Sequence, residues 1–330
     1  MNNILVTGCC GFIGYKVSEL LLKQGSSVIG VDNINDYYDP RLKEWRLEQL
    51  KTGSQKLKGE FNFHACDIGD FSSVKTVFAN YKIDAVINLA ARAGVRASVE
   101  DPWAYLDTNL KGTLNLLECC KTNDVKKFVL ASTSSVYGDN KKMPFSVKDS
   151  TDHPLSPYSA TKKGAEVMCY SYHYLCGIDV TVLRYFTVYG PAGRPDMSIF
   201  KFIKNIDTGK PIPVFGNGKQ NRDFTYIDDI AEGTIKGLKT VGYEAFNLGN
   251  DRPVELMYVI NLIEEKLGKK AEIQWLPLHP ADITATWADI GSSRERLGWS
   301  PKTSIEDGVE NSVKWYIDNR DFVKSLKDAK

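Results

Sequence analysis

The sequence predicts an α/β protein with a doubly wound parallel sheet and a smaller α/β region beside it. Three observations carry this. Short β-branched apolar runs alternate with longer segments of helical period, a glycine-rich turn follows the first run, and beyond about residue 190 the pattern loosens into proline- and glycine-punctuated stretches.

The elements follow in order. ILVTG at 4–8 is the first strand, and the chain then turns through Gly8, Gly11 and Gly14, spaced three apart, into FIGYKVSELLLKQG, whose apolar residues recur with helical period. SSVIGVD at 26–32 is the second strand. FNFHACD at 61–67, DAVINLA at 84–90, KKFVLAST at 126–133, DVTVLRYF at 179–186 and EAFNLG at 244–249 read as five more. SSVKTVFANY, AYLDTNLKGTLNLLECCKTND and PYSATKKGAEVMCYSYHYLCG read as helices between them. Strands alternating with helices are joined by right-handed crossovers, which makes the strands parallel. The expected division is a larger domain of 1–186 with 225–250, and a smaller one of 187–224 with 251–330.

Composition narrows the function. A chain of 330 residues, 42% apolar and 25% charged, has material for a substantial core. Its 42 basic and 41 acidic residues leave a formal charge of +1, which gives no general attraction to nucleic acid or to an anionic membrane. No run of about 18 apolar residues occurs, and the first residues enter a strand rather than a secretory signal. A cytoplasmic protein is therefore expected. The seven cysteines lack metal-ligand spacing and are expected to be reduced, with no metal site.

The glycine turn has a specific chemical use. A strand ending at Gly8 and a helix beginning near Phe12 gather backbone N–H groups and the positive end of a helix dipole around one point, where a pyrophosphate is stabilised. Asp32 ends the second strand, near the spacing at which a carboxylate meets the adenosine ribose hydroxyls of a dinucleotide. It would repel a ribose phosphate, and the adjacent Asn33 carries no compensating charge. The expected cofactor is NAD rather than NADP.

A second pattern is Y-x-x-x-K, which occurs twice. Tyr137 and Lys141 fall in VYGDNKKMP, a loop composition, and are set aside. Tyr158 and Lys162 follow Ser156 and Pro157, an N-cap and first-turn pair, so they share one face of a helix. The lysine ammonium, the helix N-terminus and an oxidised nicotinamide ring would each lower the phenol's pKa, making Tyr158 a candidate general base.

The glycine spacing, Asp32, HACDI, LAARAGVRAS, Asn109, STSSVYG, Tyr158 with Lys162, RYFTVYGP, GRPDM, NRDFTYIDD and ADITATWAD together resemble the extended short-chain dehydrogenase/reductase family, in its nucleotide-sugar branch. The resemblance covers nearly the whole chain. It implies a Rossmann cofactor domain and a cofactor site of Gly8, Gly11, Phe12, Ile13, Gly14, Asp32, Asp67, Ile68, Leu89, Ala90, Ala91, Asn109, Tyr158, Lys162 and Tyr185. It implies catalysis by Thr133, Tyr158 and Lys162, and a homodimer formed through the helices after Asn109 and Tyr158. Sugar dehydratases of this branch carry an Asp-Glu pair before V-Y-G, where this chain has Ser134 and Ser135, so dehydration is disfavoured.

A keto sugar formed without that acid has one plain fate. Hydride returns to the other face of the same carbon, which is 4-epimerisation with tightly held, regenerated NAD. The resemblance implies a UDP-sugar, UDP-glucuronate ahead of UDP-glucose, because AGVR, GRPDM and Thr187 match the glucuronate group. Thr133, Ser134, Ser135 and Thr187 offer hydroxyls to a sugar carboxylate. Arg222 is implied at the pyrophosphate and Asp282 at the uridine ribose, with Arg92, Arg194 and Val214 as further substrate contacts. A decarboxylase acting on the same keto acid and a non-catalytic NAD sensor are the other expectations to test.

Overall fold

The computed structural model describes residues 2–277 and 285–327. Each of the seven expected strands is present: β1 (Asn3–Thr7), β2 (Ser27–Asp32), β3 (Phe61–Ala65), β4 (Ala85–Asn88), β5 (Lys127–Thr133), β6 (Asp179–Tyr185) and β7 (Tyr243–Leu248). They form one sheet in the order β7-β6-β5-β4-β1-β2-β3, every pairing parallel.

The two-residue period of a strand sends alternate side chains to opposite faces. Ile4 and Val6 join one buried apolar cluster, and Leu5, between them, joins the other. Both faces are therefore covered. This explains why β4 and β5 are buried along their whole length and read as continuous apolar runs. Strand order reverses between β1 and β4, which opens a crevice at the carboxyl ends of the strands. The register sets Asp32 opposite Ala65 and Thr133 opposite Tyr185, so site residues finish at that same edge.

The helices are α1 (Phe12–Lys23), α2 (Pro40–Ser54), α3 (Phe71–Asn80), α4 (Gly112–Thr122) and α5 (Pro157–Cys176) in this part of the chain. Two differ from expectation. α2 is absent from the sequence reading because its apolar stripe is thin, although Asp39 caps it through Arg41 N and Pro40 opens it. The expected helix around 104–124 is not uniform: a turn Pro102–Tyr105 passes through a π-helical stretch, Leu106–Lys111, before α4 begins. Such stretches re-aim side chains within a continuous helix, and this one contains Asn109.

Beyond β6 the strands shorten to paired fragments. Thr187–Tyr189 pairs with Phe224–Tyr226, Ile212–Phe215 with Ile273–Leu276, and Asn221–Arg222 with Val254–Glu255. Helices Ser198–Thr208, Leu256–Leu267 and Ile305–Asp318 pack together beside them. All seven cysteines are free thiols. Among the described residues no group of His, Cys, Asp or Glu is placed to hold a metal, and no helix is long and apolar enough to cross a membrane.

Candidate active site

The crevice is a cleft of about 400 Å³ at the carboxyl edge of the sheet. Gly8, Gly11, Phe12, Ile13 and Gly14 form its floor. Gly8 needs its glycine twice over: φ is +69°, and a Cβ would lie 2.8 Å from Ala90 N. Gly14 has no choice either, since a Cβ there would sit 2.0 Å from the Gly8 carbonyl oxygen. α1 starts at Gly11 with no side-chain cap and no acidic residue in its first turn. Its leading N–H groups therefore face the cleft unanswered by a side chain, as an anion site requires.

Asp32 is buried at the end of β2. Its Oδ2 accepts from Cys10 N at 3.0 Å and its Oδ1 from Ile34 N at 2.8 Å, which fixes the carboxylate while leaving acceptor capacity on each oxygen. Asp67 lines the same end, held by Asn33 Nδ2 at 2.8 Å and Gly69 N at 2.8 Å, with Ile68, Leu89, Ala90 and Ala91 beside it. This arrangement of glycine cradle, open helix start and ribose-facing carboxylate fits a dinucleotide. The sequence reading missed Lys43, a buried lysine of α2 that lines the cleft and donates to Asn35 O and Oδ1, each at 2.8 Å. Burial lowers its ammonium to about 8.

Thr133, Tyr158 and Lys162 meet in the cleft between β5 and α5. Ser156 caps α5 through Ser159 N at 3.2 Å, and Ser159 Oγ accepts from Ser156 N at 3.1 Å. This reciprocal capping box fixes the first turn, where Tyr158 sits. Tyr158 and Thr133 line the same stretch of the cleft, and Thr133 Oγ1 accepts from Ser135 N at 3.2 Å. The Tyr105 ring meets that of Tyr158 edge-on at 6.1 Å.

Burial raises the Tyr158 phenol above its ordinary value, and the Thr133 hydroxyl and the Arg194 charge oppose the rise without overcoming it. The spacing of Tyr158 and Lys162 shows their shared face but not the desolvation around them. Lys162 is itself lowered to about 8 by burial, with Cys169 and Glu166 opposing.

Ser134, Ser135, Thr187, Arg92, Arg194 and Tyr185 also line the cleft. Arg92 and Arg194 flank the Tyr37 ring, each guanidinium 5.8 Å from its centroid, and Arg194 is paired with Asp196. Tyr37 had no sequence signal beyond lying in a polar loop. The remaining expected contacts fall elsewhere. Asn109 is buried and does not line the cleft; its Oδ1 accepts from Arg92 N at 2.9 Å and its Nδ2 donates to Arg92 O at 3.0 Å, bracing the loop that carries Arg92. Val214 is wholly buried in the apolar core and does not line the cleft; its strand needs it for packing. Arg222 does not line the cleft and donates to Asn221 O at 3.0 Å. Asp282 lies outside the described residues.

Segment 133–137 bears on the type of reaction. Among the described residues the acidic side chains lining the cleft are Asp32, Asp67 and Asp196, none of them in that segment. A family model described as GDP-mannose 4,6 dehydratase matches residues 5–312. A UDP-glucuronate 4-epimerase from Thermodesulfobacterium geofontis is 55% identical over 99% of this chain and 100% of its own. The chain belongs to the nucleotide-sugar branch of the extended short-chain dehydrogenase/reductases. Within this family, the solved UDP-glucuronic acid 4-epimerase of Bacillus cereus, in complex with UDP-glucuronic acid and NAD, is 37% identical and superposes with a TM-score of 0.88 over 96% of this chain and 99% of that one. The UDP-glucose 4-epimerase of Thermotoga maritima, solved with UDP-glucose, also reaches a TM-score of 0.88, at 31% identity and the same coverage of both chains. The names of the matching family model and relatives thus cover dehydratase and epimerase chemistry on one scaffold.

Proposed function

We propose that the chain is an NAD-dependent 4-epimerase of UDP-glucuronate, forming UDP-galacturonate through a transient 4-keto sugar. The observation that carries this reading is one cleft that brings Thr133, Tyr158 and Lys162 to the glycine turn and Asp32, with a 133–137 wall that offers hydroxyls and no carboxylate. Bound NAD would supply the hydride acceptor and donor. Gly8, Gly11 and Gly14 would hold its pyrophosphate, Asp32 its adenosine ribose and Lys162 its nicotinamide ribose.

The protein's own work is proton handling and orientation. Tyr158 Oη takes the proton of the sugar 4-hydroxyl as hydride leaves C4, with Thr133 Oγ1 relaying between them, and returns it after the keto sugar has presented its other face. Burial disfavours the phenolate, and the Thr133 hydroxyl and the Arg194 charge offset part of that cost. Ser134, Ser135 and Thr187 would bind the sugar carboxylate by hydroxyl donors, restraining a keto acid otherwise prone to lose carbon dioxide, and Arg194 would add charge.

The helices that leave this site also support a homodimer and a cytoplasmic setting. Trp103, Val167, Tyr170, Tyr174 and Leu175 are all exposed on the helical stretch before α4 and on α5, an apolar surface suited to a second copy. Free thiols throughout suit a reducing compartment.

Proton NMR of UDP-glucuronate and, separately, UDP-glucose incubated with the protein and NAD tests the proposal. UDP-galacturonate formed from the first, with no UDP-galactose from the second, is the expected result. UDP-galactose alone would assign the glucose-type activity, UDP-pentose would indicate a decarboxylase, and no turnover of any nucleotide sugar would favour a sensor.

A further inference from the structure

Arg46 is a wholly buried arginine that the catalytic scheme leaves unused. It projects from α2 and is 0% exposed, yet among the described residues it pairs with no carboxylate. Its five N–H contacts go to oxygens of three separate segments. Nε and Nη2 donate to Ala192 O at 3.2 and 2.8 Å, and Nη2 also to Gly193 O at 3.0 Å. Nη1 donates to Cys10 O at 3.0 Å, in the glycine turn, and to the Tyr38 hydroxyl at 2.6 Å. Burying an unpaired charge is costly, and a planar fork of donors saturated by carbonyls is the way a guanidinium sustains it.

The loop it grips is strained. Ala192 has φ +52°, a left-handed conformation sparsely populated by residues other than glycine, and such residues persist only where the surroundings over-determine them. Two residues on lies Arg194, whose guanidinium sits over Tyr37, the neighbour of the Tyr38 that Arg46 also holds. Arg46, 146 residues from Ala192 in sequence, therefore ties the cofactor turn at Cys10 to the loop presenting Arg194.

We infer that Arg46 is a positioning residue for substrate binding, acting through Arg194 by locking the 190–196 loop to the glycine turn. This rests on the assignment of Arg194 to the substrate made above. Lysine at this position keeps the charge, but its single nitrogen cannot reach both Cys10 and the two loop carbonyls.

The test is a double-mutant cycle on the NAD-loaded protein, reading KM and kcat for UDP-glucuronate and its affinity by calorimetry. Arg46→Lys is expected to raise KM and weaken binding by about tenfold with kcat changed far less, as displacement of a positioning loop does. In an Arg194→Met background the same change is expected to alter KM less than about twofold, because the partner it acts through is gone. Tyr38→Phe, which deletes one acceptor and keeps the fold, is expected to show the same non-additive pattern at about threefold. Equal losses in both backgrounds, or an unchanged KM in Arg46→Lys, would overturn the role of Arg46 while leaving the epimerase reading intact. A wild-type protein that neither binds nor converts UDP-glucuronate would overturn both.

Discussion

The cofactor end and the sugar end of the cleft are built in different ways. At the cofactor end most of the chemical groups sit at the ends of regular elements: Gly8 and Gly11 between β1 and α1, Asp32 at the end of β2, Thr133 at the end of β5, Tyr158 in the first turn of α5. At the sugar end the groups hang on short paired fragments and turns, with Thr187 in a three-residue strand and Arg194 in a loop that Arg46 holds from α2. Element ends are fixed by backbone hydrogen bonding, whereas loops are fixed by particular long-range side chains. Chemistry shared by a family belongs on the first and substrate choice on the second.

Removing the Tyr158 hydroxyl probes that contrast most strongly. Tyr158→Phe is expected to lower kcat by about 10²- to 10⁴-fold with little change in KM or melting temperature, measured by steady-state kinetics and calorimetry. A loss confined to KM would make Tyr158 a binding group and erase the distinction. Gly14→Ala comes next. A Cβ 2.0 Å from the Gly8 carbonyl must push α1 off the turn, so NAD should no longer co-elute on gel filtration, with a stability loss of about 3 kcal/mol in urea melts.

Lys162 sharpens the same contrast through pH. Burial brings its folded value to about 8, below its ordinary 10.5, so the folded state carries the burden of a desolvated ammonium below pH 8 and sheds it between pH 8 and 10.5. Activity should fall around pH 8 as the folded-state charge is lost, while across the whole window the difference in stability between wild type and Lys162→Met narrows by up to about 3 kcal/mol. Both trends running the same way would contradict the burial argument. The smallest change is expected at the sugar end: Thr187→Asn should reduce kcat/KM for UDP-glucuronate about tenfold and leave NAD retention alone. Equal losses of cofactor and substrate would show the two ends to be one mechanical unit.

The same division governs what the sequence made legible. The seven strands, the glycine turn, Asp32 and the capped Tyr158–Lys162 helix are local patterns, because strand period, turn chemistry and helix caps are written within a few residues. Tyr37, Lys43 and Arg46 act through partners folded onto them from elsewhere, and no spacing announces that. Val214 shows the converse: an apolar residue in a strand was more simply a core residue. Asn109 sits where a π-helical stretch re-aims it, and the raised Tyr158 phenol reflects burial, a property of the packed molecule and not of a motif.

The central claim is that hydride leaves C4 of the sugar and returns to that same carbon, with Tyr158 moving the proton. Incubating UDP-glucuronate deuterated at C4 with the NAD-loaded protein in ordinary water, and reading the product by NMR and mass spectrometry, tests it directly. The epimerase reading predicts UDP-galacturonate that retains deuterium at C4. Inverted product with hydrogen from solvent at C4 would contradict it, since the carbon would then have been inverted by proton exchange without a returning hydride.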